Sequence, residues 1–134
     1  MTSLALRPHA YVLAVHDLIA ETAYFTDVLG FSREWSDPGH WEGLIRDGVR
    51  LHLGRCPQSI PAAELGDHSY FGFFATDDVD ALASEFMAAG AIIRSPPADK
   101  PWGWREMAIG TPEGHRMMFA QRLKEPPSAR ESGA

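Results

Sequence analysis

Apolar and polar positions along this chain follow two different periods, and each change of period marks an element. "AYVLAV" is β-branched and apolar over Tyr11 to Val15, which predicts a buried strand. Asp17 then stands as a helix cap. The following "LIAETAYFTDVL", Leu18 to Leu29, places Ile19, Ala23, Phe25 and Leu29 near helical spacing. Gly30 sits where a left-handed C-cap belongs. "FSREW" and "HWEGLIRDGVRLHLGRC" then alternate with period two about Asp47-Gly48, a hairpin signal. The first half therefore reads βαβββ, and the Pro- and Gly-bearing "PQSIPAAELGDH", Pro57 to His68, reads as a linker.

The second half begins again in the same way. "SYFGFFATDDVDALASEFMAAG" carries aromatic strand residues up to Phe74, acidic caps at Asp77 and Asp78, a helix with Val79, Leu82, Phe86 and Met87, and a stop at Gly90. Asp17 and Asp78 lie 61 apart, Gly30 and Gly90 lie 60 apart, and the turns Asp47-Gly48 and Glu113-Gly114 lie 66 apart. One βαβββ module used twice accounts for these spacings. The prediction is a single α+β domain over residues 1–123, with module one at about 9–56, the linker at 57–68 and module two at about 69–123. A helix covers only one face of a four-stranded sheet, so two such modules would curl their free faces around a concave cleft. A ferredoxin-like split βαβ fold is the competing architecture, and it explains three strands after each helix less well.

Composition narrows the function. With 134 residues, 45% hydrophobic and 22% charged, the chain is an ordinary globular protein. A formal charge of −6 argues against nucleic acid as a partner and mildly favours cationic ligands. The one cysteine, Cys56, has no internal partner, which suits a reducing, cytoplasmic setting. No apolar run is long enough for a membrane span, and Arg7, Pro8 and His9 interrupt any signal-peptide core, so no membrane partner is expected. "KEPPSARESGA", residues 124–134, reads as a disordered tail. The chain has no phosphate loop, GxSxG elbow, HExxH or CxxC, and nothing in the sequence around Cys56 would activate its thiol.

"VHDLIAETAYFTDVLGF" (Val15 to Phe31), "TDDVDAL" (Thr76 to Leu82) and the turn "GTPEGHRMMF" (Gly110 to Phe119) resemble the vicinal oxygen chelate superfamily, over nearly all of residues 9–122. That superfamily contains glyoxalase I, extradiol dioxygenases, fosfomycin-resistance transferases and bleomycin-resistance proteins. The resemblance implies two βαβββ modules forming a curved mixed sheet around a cleft. In the enzymes it also implies a divalent metal held by His and Glu on the first and last strands of each module. Here those positions fall on Ala10, His52, Phe71 and Met118, so only His52 offers a useful ligand. His9 and His68 are nearby, but strand alternation turns them to the opposite face unless a bulge intervenes.

The resemblance without the ligand set is closest to the bleomycin-resistance branch, which implies a metal-free homodimer sequestering a small aromatic ligand, with cations favoured. No cofactor is then expected, against the alternative of one divalent metal ion in a lyase, isomerase or dioxygenase. The expected ligand-binding residues are His52, Phe71, Phe73, Trp102, Trp104, Glu106, Met118 and Trp41, with no catalytic or metal-binding residue assigned. If Met107 and Ile109 pack under a helix, Trp104, Glu106 and Ala108 face the cleft, and Glu106 is its anion near His52, where the two could do acid-base work; the opposite parity would turn Met107 and Ile109 inside and expose Glu106. Plainer roles stand beside these. Trp104 and Phe71 could be core, and Trp35 and Trp41 could cap the sheet or border the cleft. Glu106 could pair with Arg105 or Arg116, His52 could satisfy a backbone carbonyl, and His115 would be solvated.

Overall fold

The computed structural model describes residues 4–123. The expected tail, 124–134, lies outside the described residues. The first module consists of β1 (Tyr11–Val15), α1 (Leu18–Asp27), β2 (Ser32–Asp37), β3 (Trp41–Arg46) and β4 (Val49–Arg55). After a connection holding one 3-10 turn, Ala62–Glu64, the second repeats the order with β5 (Gly72–Ala75), α2 (Val79–Ala88), β6 (Ile92–Asp99), β7 (Trp104–Gly110) and β8 (Arg116–Arg122). The strands form two four-stranded mixed sheets, ordered β1-β4-β3-β2 and β5-β8-β7-β6, whose β1–β4 and β5–β8 pairs are parallel. The sequence-predicted α+β duplication is the observed architecture. Among the described residues no helix is long and apolar enough to cross a membrane.

Both helices start and stop by the same local chemistry. Asp17 and Asp78 are N-caps whose carboxylates accept from Ala20 N and Ala81 N, each at 3.0 Å. Gly30 and Gly90 take positive φ just beyond the helix ends. Along the strands, alternate residues go under the helices: Leu13, Val15, Leu44, Leu51 and Leu53 in the first sheet, and Phe74, Met107, Ile109, Met117 and Phe119 in the second. These side chains belong to one continuous core together with Phe25 of α1 and Phe86 of α2. The helix-bearing faces of the two modules thus share their apolar surface.

Polar contacts lock the modules at the same seam. The Tyr24 hydroxyl of α1 donates to Gly110 O at 2.7 Å and accepts from Ile92 N at 2.9 Å. The Glu113 carboxylate, in the β7–β8 turn, accepts from His16 N and Asp17 N and so supplements the cap of α1 from the other module. Gly114 shapes that turn at φ +94, and a Cβ there would meet the Ala63 backbone at 2.7 Å. His115 is half-buried rather than solvated as the sequence suggested. Burial pulls its pKa down, while its bond to Ala14 O at 3.0 Å opposes the shift.

Glu21 of α1 is fully buried at this seam. Its Oε1 accepts from Glu113 N at 3.0 Å, while Oε2 makes no hydrogen bond. Burial raises its pKa above 4.5; the nearby Thr111 hydroxyl and Glu113 N–H offset part of the rise, and the Glu113 and Asp17 charges add to it. A carboxyl raised in this way contributes its full stability below the unfolded-state pKa and loses it as pH rises through the folded-state pKa. Glu21→Gln keeps an acceptor for Glu113 N, so it is expected to stabilise the protein by about 1 kcal/mol at pH 7 and by less toward pH 4. Urea unfolding at the two pH values measures this, and an equal or opposite change at pH 7 contradicts it.

Candidate functional site

The strand residues that do not enter the core form two open faces. On the first sheet the face carries Val12, Gly43 and His52 as one cross-strand row and Ala14, Gly54 and Trp41 as the next. A bulge between Arg33 and Trp35 re-aims β2, so that Trp35 stands opposite Gly43. Each indole lies across a glycine: a Cβ at Gly43 would collide with the Trp35 ring, and one at Gly54 with the Trp41 ring. The missing side chains let both rings lie close against the sheet. Trp35 and His52 ring centroids are 5.0 Å apart, and His9 and His52 are 5.8 Å apart. His52 Nε2 is buried and has no hydrogen-bond partner.

On the second sheet, Phe73, Met118 and Ala108 form one row and Ala75, Ala120 and Glu106 the next. Phe73 meets the Trp104 ring edge to face at 5.4 Å, and the Arg122 guanidinium lies over that ring at 4.9 Å. Trp102, in the connection before β7, donates from Nε1 to the buried Glu106 carboxylate at 2.6 Å. An indole N–H thereby holds an anionic group on an aromatic surface.

In the single chain both faces are open to solvent. Trp35 is 39% exposed, Trp41 40%, Phe73 48%, Trp102 56% and Val12 64%. The sheets are curved, not closed, and their covered sides are the ones that meet in the shared core.

The structure therefore divides the sequence-predicted site residues into two groups. His52 and Trp41 share the first face, while Phe73, Trp102, Trp104, Glu106 and Met118 share the second. Met107 and Ile109 are fully buried in the core, which puts Trp104, Glu106 and Ala108 on the open side as their alternation required. Phe71 is on neither face. It precedes β5, where strand alternation does not yet apply, and packs against Phe25, Phe74 and His115. His52 and Glu106 belong to different sheets and are not brought together within the chain. Nor does Glu106 pair with Arg105 or Arg116 among the described residues: Arg105 binds Asp80 and Asp99, and Arg116 donates to Leu65 O.

The sequence turns His9 away from His52, leaves Trp35 to cap the sheet or border the cleft, and gives no signal for Arg122, whereas the structure sets His9 and Trp35 beside His52 and Arg122 over Trp104. His9 lies ahead of β1, so its ring is free to turn toward His52 instead of obeying strand parity. A usable signal existed for the indoles: counting outward from the Asp47-Gly48 turn puts Trp41 opposite Gly54, a large ring facing an empty position. The family metal positions Ala10, His52, Phe71 and Met118 do not fit a divalent ion, since only one carries a good donor and Phe71 has left the face. Among the described residues no group of three or more His, Cys, Asp or Glu is arranged to hold a metal.

The model of the Glyoxalase/Bleomycin resistance protein/Dioxygenase superfamily matches residues 7–119. TioX from Micromonospora sp. ML1 is 27% identical, with 87% of this chain and 100% of that one covered at a TM-score of 0.70. A bleomycin-binding protein from bleomycin-producing Streptomyces verticillus, crystallised with copper(II)-bleomycin, is 26% identical, covers 87% of this chain and 97% of its own, and has a TM-score of 0.70. TnmS3, an antibiotic binding protein from Streptomyces sp. CB03234, shares the fold at 23% identity and a TM-score of 0.67, with 89% and 99% covered. No curated protein matches the sequence significantly.

Proposed function

Because this chain belongs to the glyoxalase/bleomycin resistance/dioxygenase superfamily, we propose that it is a binding protein that sequesters a planar aromatic cation without bound metal. The observation that carries this reading is the second open face, where Trp104 and Phe73 meet edge to face and Trp102 donates to the buried Glu106 carboxylate. Planar rings bury much area against such a surface at little entropic cost, and an anionic group in a desolvated setting selects cations. The Arg122 guanidinium 4.9 Å from the Trp104 ring centroid supports cation recognition by this indole. The likeness to a bleomycin-binding protein supports small-molecule binding in this branch.

The working unit in this reading is a homodimer. A single curved face leaves half of a planar ligand in water, and the shared core joins the two modules through residues that lie on neither open face. A second copy can set the first sheet of one protomer against the second sheet of the other, so that Trp35 and Trp41 close over Trp104. His52 and Glu106 would then meet across the subunits.

Ethidium and its uncharged relative phenanthridine test the reading. Saturable quenching of tryptophan fluorescence is expected at about one ethidium per chain, with phenanthridine binding about tenfold more weakly. The quenching is expected to be unchanged after dialysis against zinc or manganese, with no metal retained. Absence of saturable quenching, or a stoichiometric retained metal, overturns it in favour of a metal-dependent enzyme.

A further inference from the structure

A second cavity, of about 550 Å³, lies away from the open faces, between α1 and the β2–β3 side of the first sheet. Its walls come from the core side of that sheet, because Glu42 and Arg33 share the alternation of Leu44. Leu18, Ile19, Thr22 and Ala23 contribute one face of α1, and Arg33 and Arg55 face them.

Three features distinguish this cavity from a loose seam. Thr22 is only 3% exposed, yet its Oγ1 has no hydrogen-bond partner. A helical threonine ordinarily bonds the carbonyl one turn back, so a buried hydroxyl left unpaired on a cavity wall is available to a ligand. One cationic group on the wall is also unengaged, although the lining as a whole carries two arginines and two carboxylates. Glu42 is satisfied by Arg33 Nε at 2.6 Å and by the Ser36 hydroxyl at 2.8 Å, while the Asp17 carboxylate is used in capping α1. That leaves the Arg55 guanidinium without an ion pair among the described residues, while Arg33 is paired with Glu42 through its Nε. Finally, the two flanks are tied differently: in the second module Arg105 of β7 binds Asp80 of α2, whereas no ion pair links α1 to β2 or β3 among the described residues.

We propose that this cavity binds a small organic carboxylate with an apolar body. The carboxylate is received by Arg55 and the outer edge of Arg33, one ligand atom pairs with the Thr22 hydroxyl, and the apolar body lies on Leu18, Ile19 and Ala23. Guanidinium forks match a planar carboxylate in geometry as well as charge, and the cavity volume falls in the range of small-molecule sites. The ligand is opposite in charge to the one proposed for the sheet faces, and the two sites have no residue in common, so neither proposal depends on the other.

Protein-observed ¹H–¹⁵N NMR with 2-naphthoate as the probe, and 2-naphthalenemethanol as its uncharged analogue, tests the assignment. Saturable shifts are expected on the amides of α1 and of Gly39 and Arg55, complete below about 5 mM, with the alcohol at least about tenfold weaker. Arg55→Ala is expected to weaken naphthoate binding about tenfold and Thr22→Val about threefold. Both substitutions preserve the core, one being at an exposed residue and the other isosteric, and the same spectra verify the fold. Shifts confined to the sheet faces around Trp35 and Trp104 overturn the proposal. So does affinity unchanged in both variants, or an absence of saturation by about 5 mM.

Discussion

Chains carrying Trp35→Ala, mixed with chains carrying Trp104→Ala, are expected to recover aromatic-cation binding that neither variant retains alone. Trp35 lies on the first sheet over Gly43, and Trp104 lies on the second beside Phe73. In a cleft built from the first sheet of one protomer and the second sheet of its partner, each variant homodimer has a truncated indole in both clefts. Loss of a central tryptophan typically costs about 2 kcal/mol or more, roughly a thirtyfold loss of affinity. A mixed dimer, in contrast, holds one doubly truncated cleft and one intact cleft. Random exchange of subunits should restore about a quarter of all clefts to full affinity. Titration of the mixture with ethidium, beside each variant alone, measures that fraction. If both variants are dimeric and exchange freely but the mixture recovers nothing, the two faces do not share a ligand across subunits.

Phe25→Ala is expected to be the most damaging single change in the chain, lowering stability by about 4 kcal/mol. The ring is fully buried and meets Phe31 of its own module and Phe71 from the start of the other edge to face, so its removal opens a cavity where the modules join. Because one core serves both modules, the loss should move the whole unfolding transition. Urea curves followed by far-ultraviolet circular dichroism and by tryptophan fluorescence should shift together and remain superimposable. If one signal moves while the other keeps the wild-type midpoint, the modules are independent units and the shared core contributes little.

Several features of the site were legible in the chain because they depend on local rules. The capping aspartates, the stops at Gly30 and Gly90 and the Asp47-Gly48 turn are each decided within a few residues. Strand alternation also grouped Trp104, Glu106 and Ala108 on one face, and the burial of Met107 and Ile109 in the core chose its direction. The errors came where alternation was extended past a strand end. Phe71 and His9 both lie just outside their strands; one rotates into the core and the other toward His52. The Trp35 position depends on a bulge in β2, an inserted residue that local periodicity does not reveal.

The sequence by itself determined the duplicated α+β modules, where their helices start and stop, and which residues alternate together within a regular strand, because helix capping, turn formation and the two-residue strand period act over short distances. Only the tertiary structure decided which faces meet. It joined the helix-covered sides into one core, left both aromatic faces open, and placed His52 and Glu106 on separate sheets. It also produced the cavity behind α1, where Thr22 and Arg55 come together from elements far apart in the chain. Burial of apolar area is non-directional, so the choice between two ways of packing the same modules depends on the fit of whole surfaces, and no local stretch of the chain contains that information.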